Sequence, residues 1–96
     1  MVLESVIPEG EGLLLSIRVL NTTFQKHVFA RVTFDDWATY RDITAAYVSS
    51  PSVMSDRFSI HLDVPGPRAD FALCMVTPIN THWDNNARQN YTVRRE

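Results

Sequence analysis

Apolar residues alternate with polar ones at a spacing of two along almost the whole chain, and no window of eleven or more residues carries the spacing of an amphipathic helix. A chain patterned this way can bury its apolar surface only as sheet faces, so the fold expected is all-β. In L-L-L-S-I-R-V-L (13 to 20), Leu15, Ile17 and Val19 share one face, opposite Ser16 and Arg18. In K-H-V-F-A-R-V-T-F (26 to 34), Val28, Ala30, Val32 and Phe34 form the inner set, with His27, Arg31 and Thr33 pointing outward. Ile43 to Val48, R-F-S-I-H-L-D-V (57 to 64) and A-D-F-A-L-C-M-V (69 to 76) give three more strands. A last pair is expected around Thr81 to Trp83 and Asn90 to Arg94. Turn chemistry falls at Asn21-Thr22-Thr23, Ser49-Ser50-Pro51, Pro65-Gly66-Pro67 and Thr77-Pro78-Ile79-Asn80. Seven to eight short antiparallel strands at this spacing predict an immunoglobulin-like β-sandwich with its sheets face to face. Loose ends are expected at residues 1 to 11 and Arg94-Arg95-Glu96.

Ninety-six residues are enough for one domain with a modest core, here spanning 1–96 with a core of about 3–93. Nine Lys and Arg against eleven Asp and Glu leave a net charge of -2, which argues against a nucleic-acid surface. No apolar run reaches the roughly 20 residues of a membrane span, and residues 1 to 12 lack the pattern of a secretory leader. The single Cys74 rules out an internal disulfide or a cysteine-built zinc site and fits a reducing compartment. The glycan acceptor patterns Asn21-Thr22-Thr23 and Asn90-Tyr91-Thr92 are then chance matches.

Few segments suggest catalysis or metal binding. Asp35 and Asp36 are adjacent, so their side chains diverge, and they are too few for calcium. His27, His61 and His82 are scattered without ligand spacing, and no nucleophile signature surrounds any Ser. Three glycines cannot build a phosphate loop. No enzyme activity, metal or cofactor is expected. R-V-T-F (31 to 34) matches a short peptide pattern that docks onto protein phosphatase 1, but Val32 and Phe34 belong to the inner face of a strand, and extracting them would forfeit several kcal/mol of burial. Trp37, in the polar stretch D-D-W-A-T-Y-R-D, is either an exposed recognition residue or a lid on the end of the core.

The segment T-H-W-D-N-N-A-R-Q-N-Y (81 to 91) is the most unusual. The amides of Asn85, Asn86 and Asn90 offer both donors and acceptors, which suits vicinal hydroxyls, and the flat indole of Trp83 suits the C–H face of a sugar ring. Asn is equally a residue of tight turns, because it tolerates left-handed backbone and caps its own turn.

Four stretches, V-L-N-T-T-F-Q-K-H-V (19 to 28), R-V-T-F-D-D-W-A-T-Y-R-D (31 to 42), D-R-F-S-I-H-L-D-V-P (56 to 65) with D-F-A-L (70 to 73), and W-D-N-N-A-R-Q-N-Y (83 to 91), resemble in order and spacing the family 21 carbohydrate-binding module. The likeness is to the version found in glycogen-targeting regulatory subunits of protein phosphatase 1, and it covers about Leu3 to Val93. The resemblance implies a module without catalytic residues that binds glycogen or another α-1,4-glucan and is cytoplasmic and glycogen-associated. It implies sugar-binding roles for Asn21, Phe24, Lys26, Trp37, Trp83, Asn85, Asn86 and Asn90. It further links Trp83, Asp84, Asn85, Asn86, Asn90 and Tyr91 to recruitment of glycogen synthase. The phosphatase catalytic subunit would dock on segments outside this chain. Ala87-Arg88 departs from the family pattern, which has Gly at the second place; a positive φ there would cost Arg88 about 1 kcal/mol. The alternative function is an interaction domain that keeps the fold and docks glycogen synthase or another partner without appreciable sugar affinity.

Overall fold

The computed structural model describes residues 1–10, 12–20 and 25–94. Among them are nine strands: β1 (Val2–Glu9), β2 (Gly12–Leu20), β3 (His27–Thr33), β4 (Arg41–Thr44), β5 (Ala46–Ser52), β6 (Ser55–Leu62), β7 (Arg68–Val76), β8 (Thr81–Asp84) and β9 (Tyr91–Arg94). They form two antiparallel sheets, one ordered β1-β2-β6-β5 and the other β4-β3-β7-β8, with β9 also on β7. The all-β sandwich is thus as expected, with more strands than the seven to eight anticipated.

The additional strands have physical causes. Residues 2 to 9, expected to be loose, pair with β2 from Val2 opposite Arg18 to Glu9 opposite Gly12. Their alternation is faint because β1 is an edge strand, exposed along most of its length, whose hold comes from backbone hydrogen bonds. Glu4 adds contacts by accepting from Arg18 and Arg57, each at 2.8 Å. The segment read as one strand, Ile43 to Val48, is two strands in different sheets, and the chain crosses over at Ala45, whose N–H donates to the Val28 carbonyl at 2.8 Å. Alternation continues through such a crossover, so periodicity does not reveal it. Ser49-Ser50-Pro51 is likewise strand rather than turn; β5 is a sheet edge with register shifts after Tyr47 and Ser49, where Pro is tolerated. The turn falls at Val53-Met54.

The core lies between the sheets. Leu15, Ile17 and Val19 of β2 and Ile60 and Leu62 of β6 meet Val28, Ala30 and Val32 of β3 and Phe71 and Leu73 of β7, all essentially inaccessible. Each large side chain buried in this way stabilises the fold by about 1.5–3 kcal/mol. Phe34, just past the end of β3, packs partly against the same cluster, so both the Val and the Phe of R-V-T-F belong to the core rather than to a free docking peptide. Thr33, expected to face outward, is buried instead, because its hydroxyl organises the loop that follows.

β8 and β9 do not pair with each other. They lie end to end on one edge of β7, β8 opposite Leu73 to Val76 and β9 opposite Arg68 to Phe71. The intervening loop therefore leaves the sheet beside Ala72, which lies between the two ladders.

Candidate functional site

Directly opposed residues in an antiparallel sheet share a face. The register therefore sets Thr44, Phe29, Cys74 and Trp83 in one row across the outer face of the second sheet, and Asp42, Arg31 and Ala72 in the next. Phe29 meets the Trp83 ring edge-on at 5.7 Å, and His27 lies 5.3 Å from Phe29. Cys74 is inaccessible in this row, and burial raises its thiol pKa. Arg31 donates to both oxygens of Asp42, from Nε at 2.8 Å and Nη2 at 3.0 Å. The same fork lowers the Asp42 carboxyl pKa. The Arg31 guanidinium lies 5.1 Å from the centre of the Trp83 ring and 4.5 Å from that of Tyr40.

Two loops rise above this face. In the first, between β3 and β4, the Thr33 Oγ1 accepts the Trp37 N–H at 3.0 Å and lies 2.6 Å from the Thr39 carbonyl oxygen. Asp35 accepts the Thr39 N–H and hydroxyl at 2.9 and 2.6 Å. These Thr39 bonds, with help from Thr33, hold its carboxyl below the usual carboxylate range. Arg68 fastens Asp36 at 2.6 Å. Asp36 and Trp37 take left-handed φ values of 58° and 70°, a conformation a side chain adopts only where its surroundings enforce it.

The second loop joins β8 to β9. Asp84 anchors it: one carboxylate oxygen accepts the Asn86 N–H at 3.1 Å, and the other accepts the Tyr91 hydroxyl at 2.5 Å. Tyr91 stacks on the buried Phe71 with ring centres 5.3 Å apart, and burial with the Asp84 bond pushes its pKa up to about 12. Asn85 Oδ1 accepts the Arg88 N–H at 3.0 Å, and Asn86 Nδ2 donates to the Asn90 carbonyl at 3.2 Å. Asn86, Ala87, Arg88 and Asn90 all have positive φ, and the value of 73° at Arg88 is the left-handed conformation whose cost was anticipated for Ala87-Arg88.

Between the loops is a shallow depression of about 300 Å³, lined by Arg31, Trp37, Ala72, Trp83, Asn85 and Asn90. Trp37 and Trp83 thus border one site, and both are partly exposed, at 36% and 48%. Among the described residues, the Asn85 amide nitrogen and the whole Asn90 side-chain amide have no intramolecular partner. The amides therefore divide their work: Asn86 and one end of Asn85 build the turn, while the rest of Asn85 and all of Asn90 are available to a ligand. Flat aromatic surface, neutral donors and acceptors and a shallow open form suit a neutral, hydroxyl-rich ring compound.

Other expected site residues lie elsewhere. The Lys26 ammonium forms a buried ion pair with Asp56 at 2.5 Å, its side chain only 4% exposed, and does not line the depression. Ser50 donates to the other oxygen of Asp56 at 2.7 Å. Asn21 and Phe24 lie outside the described residues. Asp84 and Tyr91 sit beneath the loop rather than in the depression. Arg31 and Ala72 had not been expected in the site, since their place depends on strand register. The one hint in the sequence was an outward Arg two residues from an aromatic on the same strand face.

Comparisons with known proteins bear on the family and the fold. Residues 1–94 match the model of the carbohydrate/starch-binding module, family 21. The chain is 38% identical over 94 residues to protein phosphatase 1 regulatory subunit 3A of Oryctolagus cuniculus, covering 91% of this chain and 8% of that protein. It is 34% identical over 100 residues to regulatory subunit 3B-B of Xenopus laevis, covering 97% and 37%. The chain therefore spans well under half of these relatives. The solution structure of the carbohydrate-binding module of the muscle glycogen-targeting subunit of protein phosphatase-1 superposes with a TM-score of 0.83 at 36% identity, over 96% of this chain and 73% of that one. The starch-binding domain of Rhizopus oryzae glucoamylase shares the fold, with a TM-score of 0.72 at 22% identity over 98% and 92%. On the match over residues 1–94, this chain belongs to family 21 of the carbohydrate/starch-binding modules.

Proposed function

We propose that this chain is a single non-catalytic module that binds glycogen or a related α-1,4-glucan and anchors a protein phosphatase 1 regulatory subunit to it in the cytoplasm. The observation that carries this reading is the convergence of Trp37 and Trp83 with the free amide nitrogen of Asn85 and the free side-chain amide of Asn90 around one depression. An indole face excludes water from the C–H side of a glucose ring, while the amides exchange hydrogen bonds with its hydroxyls. Both loops are held by side-chain hydrogen bonds before any ligand arrives, so little ordering entropy is lost on binding. Each contact is weak, and a branched polymer offers many copies of the same epitope, so avidity supplies the retention.

Asp84, Asn86 and Tyr91 serve by shaping the second loop, and Lys26 by fastening the start of β3, the strand that carries Arg31. The rim of that loop, with Trp83 and the exposed Asn86, is the surface available for glycogen synthase. The phosphatase catalytic subunit docks on parts of the protein outside this chain.

Co-sedimentation with glycogen tests the proposal. The folded wild type should pellet with the polymer, and Trp37→Ala and Trp83→Ala should each weaken binding about tenfold or more while melting cooperatively. A folded wild type that stays in the supernatant at high glycogen would overturn it.

A further inference from the structure

The depression stops at Arg31, but the surface it belongs to continues. Tyr40, the last residue of the first loop, leads into β4, 57% exposed and 4.5 Å from the guanidinium centre, whereas Trp83 is on β8, across β3 and β7. Trp83 is 5.1 Å from the same centre. The two ring centres are therefore no farther apart than those distances combined, and one cation holds both. Arg31 spends Nε and one N–H of Nη2 on Asp42, and among the described residues its Nη1 has no partner.

We propose, resting on the glucan reading above, that Tyr40 is a further sugar-stacking residue that extends the site across β3 and β4, and that Arg31 is the positioning residue that spaces it from Trp83. A guanidinium suits this task because it is planar, permanently charged and fixed by its fork to Asp42, and it attracts both flanking rings. Its free Nη1 N–H groups can donate to a ligand hydroxyl. Lysine could supply the charge but not the fork. The occupant is a linear α-glucan segment, because the extension adjoins, through Arg31, a site of the same chemistry and adds only aromatic face and donors suited to a neutral ligand.

The test compares short and long ligands. Titration of the wild type with maltotriose and maltoheptaose should show tighter binding of the longer chain. Tyr40→Ala should lower maltoheptaose affinity about fivefold to tenfold and leave maltotriose within about twofold, and Tyr40→Trp should restore the long-chain advantage. Arg31→Lys should weaken both ligands and narrow the difference between them. Tyr40→Ala with undiminished maltoheptaose affinity would overturn the extension even if Arg31→Lys fails to fold, because Tyr40 is exposed. A wild type that binds neither oligosaccharide nor glycogen would overturn the underlying glucan reading and the extension with it, a result distinct from an unaffected variant.

Discussion

The two ends of β3 use a carboxylate in opposite ways. At its entry, Asp56 accepts from the Lys26 ammonium and the Ser50 hydroxyl, both charges are nearly inaccessible, and the contact joins the chain leading into one sheet to a strand of the other. At its exit, Asp35 accepts only neutral donors of Thr33 and Thr39, stays at the surface, and closes a loop that leaves Trp37 partly exposed. The first arrangement consumes every donor it uses. The second consumes backbone and hydroxyl donors and leaves an indole on display. Both carboxyls are held below their usual range, Asp56 chiefly by Lys26 and then Ser50, and Asp35 chiefly by Thr39. A lowered pKa therefore does not separate the buried end from the end proposed to bind, whereas the identity of the donor does.

Breaking the entry should have the largest effect. Lys26→Met leaves Asp56 buried without a cation and should destabilise the fold by about 3 kcal/mol, a drop of more than about 10 °C in the melting temperature. Glucan affinity of the remaining folded protein should change much less. If Lys26→Met melts like the wild type but loses glycogen, the structural assignment of the entry is wrong.

Breaking the exit should do the reverse. Asp35→Ala frees the loop that carries Trp37 and should weaken maltoheptaose binding about tenfold, with a melting shift of only a few degrees. Equal losses of stability and affinity in calorimetry of the two variants would erase the contrast between the ends.

Acid acts on both ends. A carboxyl whose pKa is depressed on folding stabilises the protein above its unfolded value of about 3.9, and that contribution disappears as pH falls through the folded value. Glu4, Asp35, Asp42 and Asp56 all have lowered values, Glu4 chiefly through Arg57 and Asp42 chiefly through Arg31. The melting temperature should hold steady from about pH 6 to 5 and fall below about pH 4. In Lys26→Met the fall should be shallower, because the main donor to Asp56 is gone. Thermal melts across this range decide the point.

The smallest effect concerns strain that the two loops share. Asp36 and Trp37 in one and Ala87 and Arg88 in the other have positive φ. Arg88→Gly should raise stability by up to about 1 kcal/mol, since glycine enters that region without a Cβ clash and returns part of the gain as unfolded-state entropy. A denaturant midpoint that falls instead would show that the Arg88 side chain contributes more than its backbone strain removes.

Several parts of this molecule were legible in the residues. Leu15, Ile17, Val19, Val28, Ala30 and Val32 were the inner set by alternation alone, and they are the core. The tryptophans and amides stood out because nothing in an apolar-polar pattern calls for them. Less legible were β1, which faces solvent on most positions and so carries little pattern, and Thr33, whose burial follows from a loop rather than from its strand. Lys26, to which a family likeness gave a sugar contact, lies against Asp56, thirty positions away, and outside the depression.

Alternation and residue type alone fix that the chain builds sheets, which residues those sheets enclose, and which side chains have chemistry suited to a sugar. Such properties are local, because alternation reports the two faces of its own strand and a Trp or Asn carries its chemistry wherever it sits. Only the tertiary structure decided that the chain changes sheets at Ala45 and that β8 and β9 share one edge of β7. It also decided that Trp37 and Trp83 border one depression and that the Arg31 guanidinium lies 5.1 Å from the Trp83 ring centre and 4.5 Å from the Tyr40 ring centre. Those facts depend on which strands become neighbours and in what register, and pairing between distant segments is selected by the burial of both sheets together rather than by either segment alone.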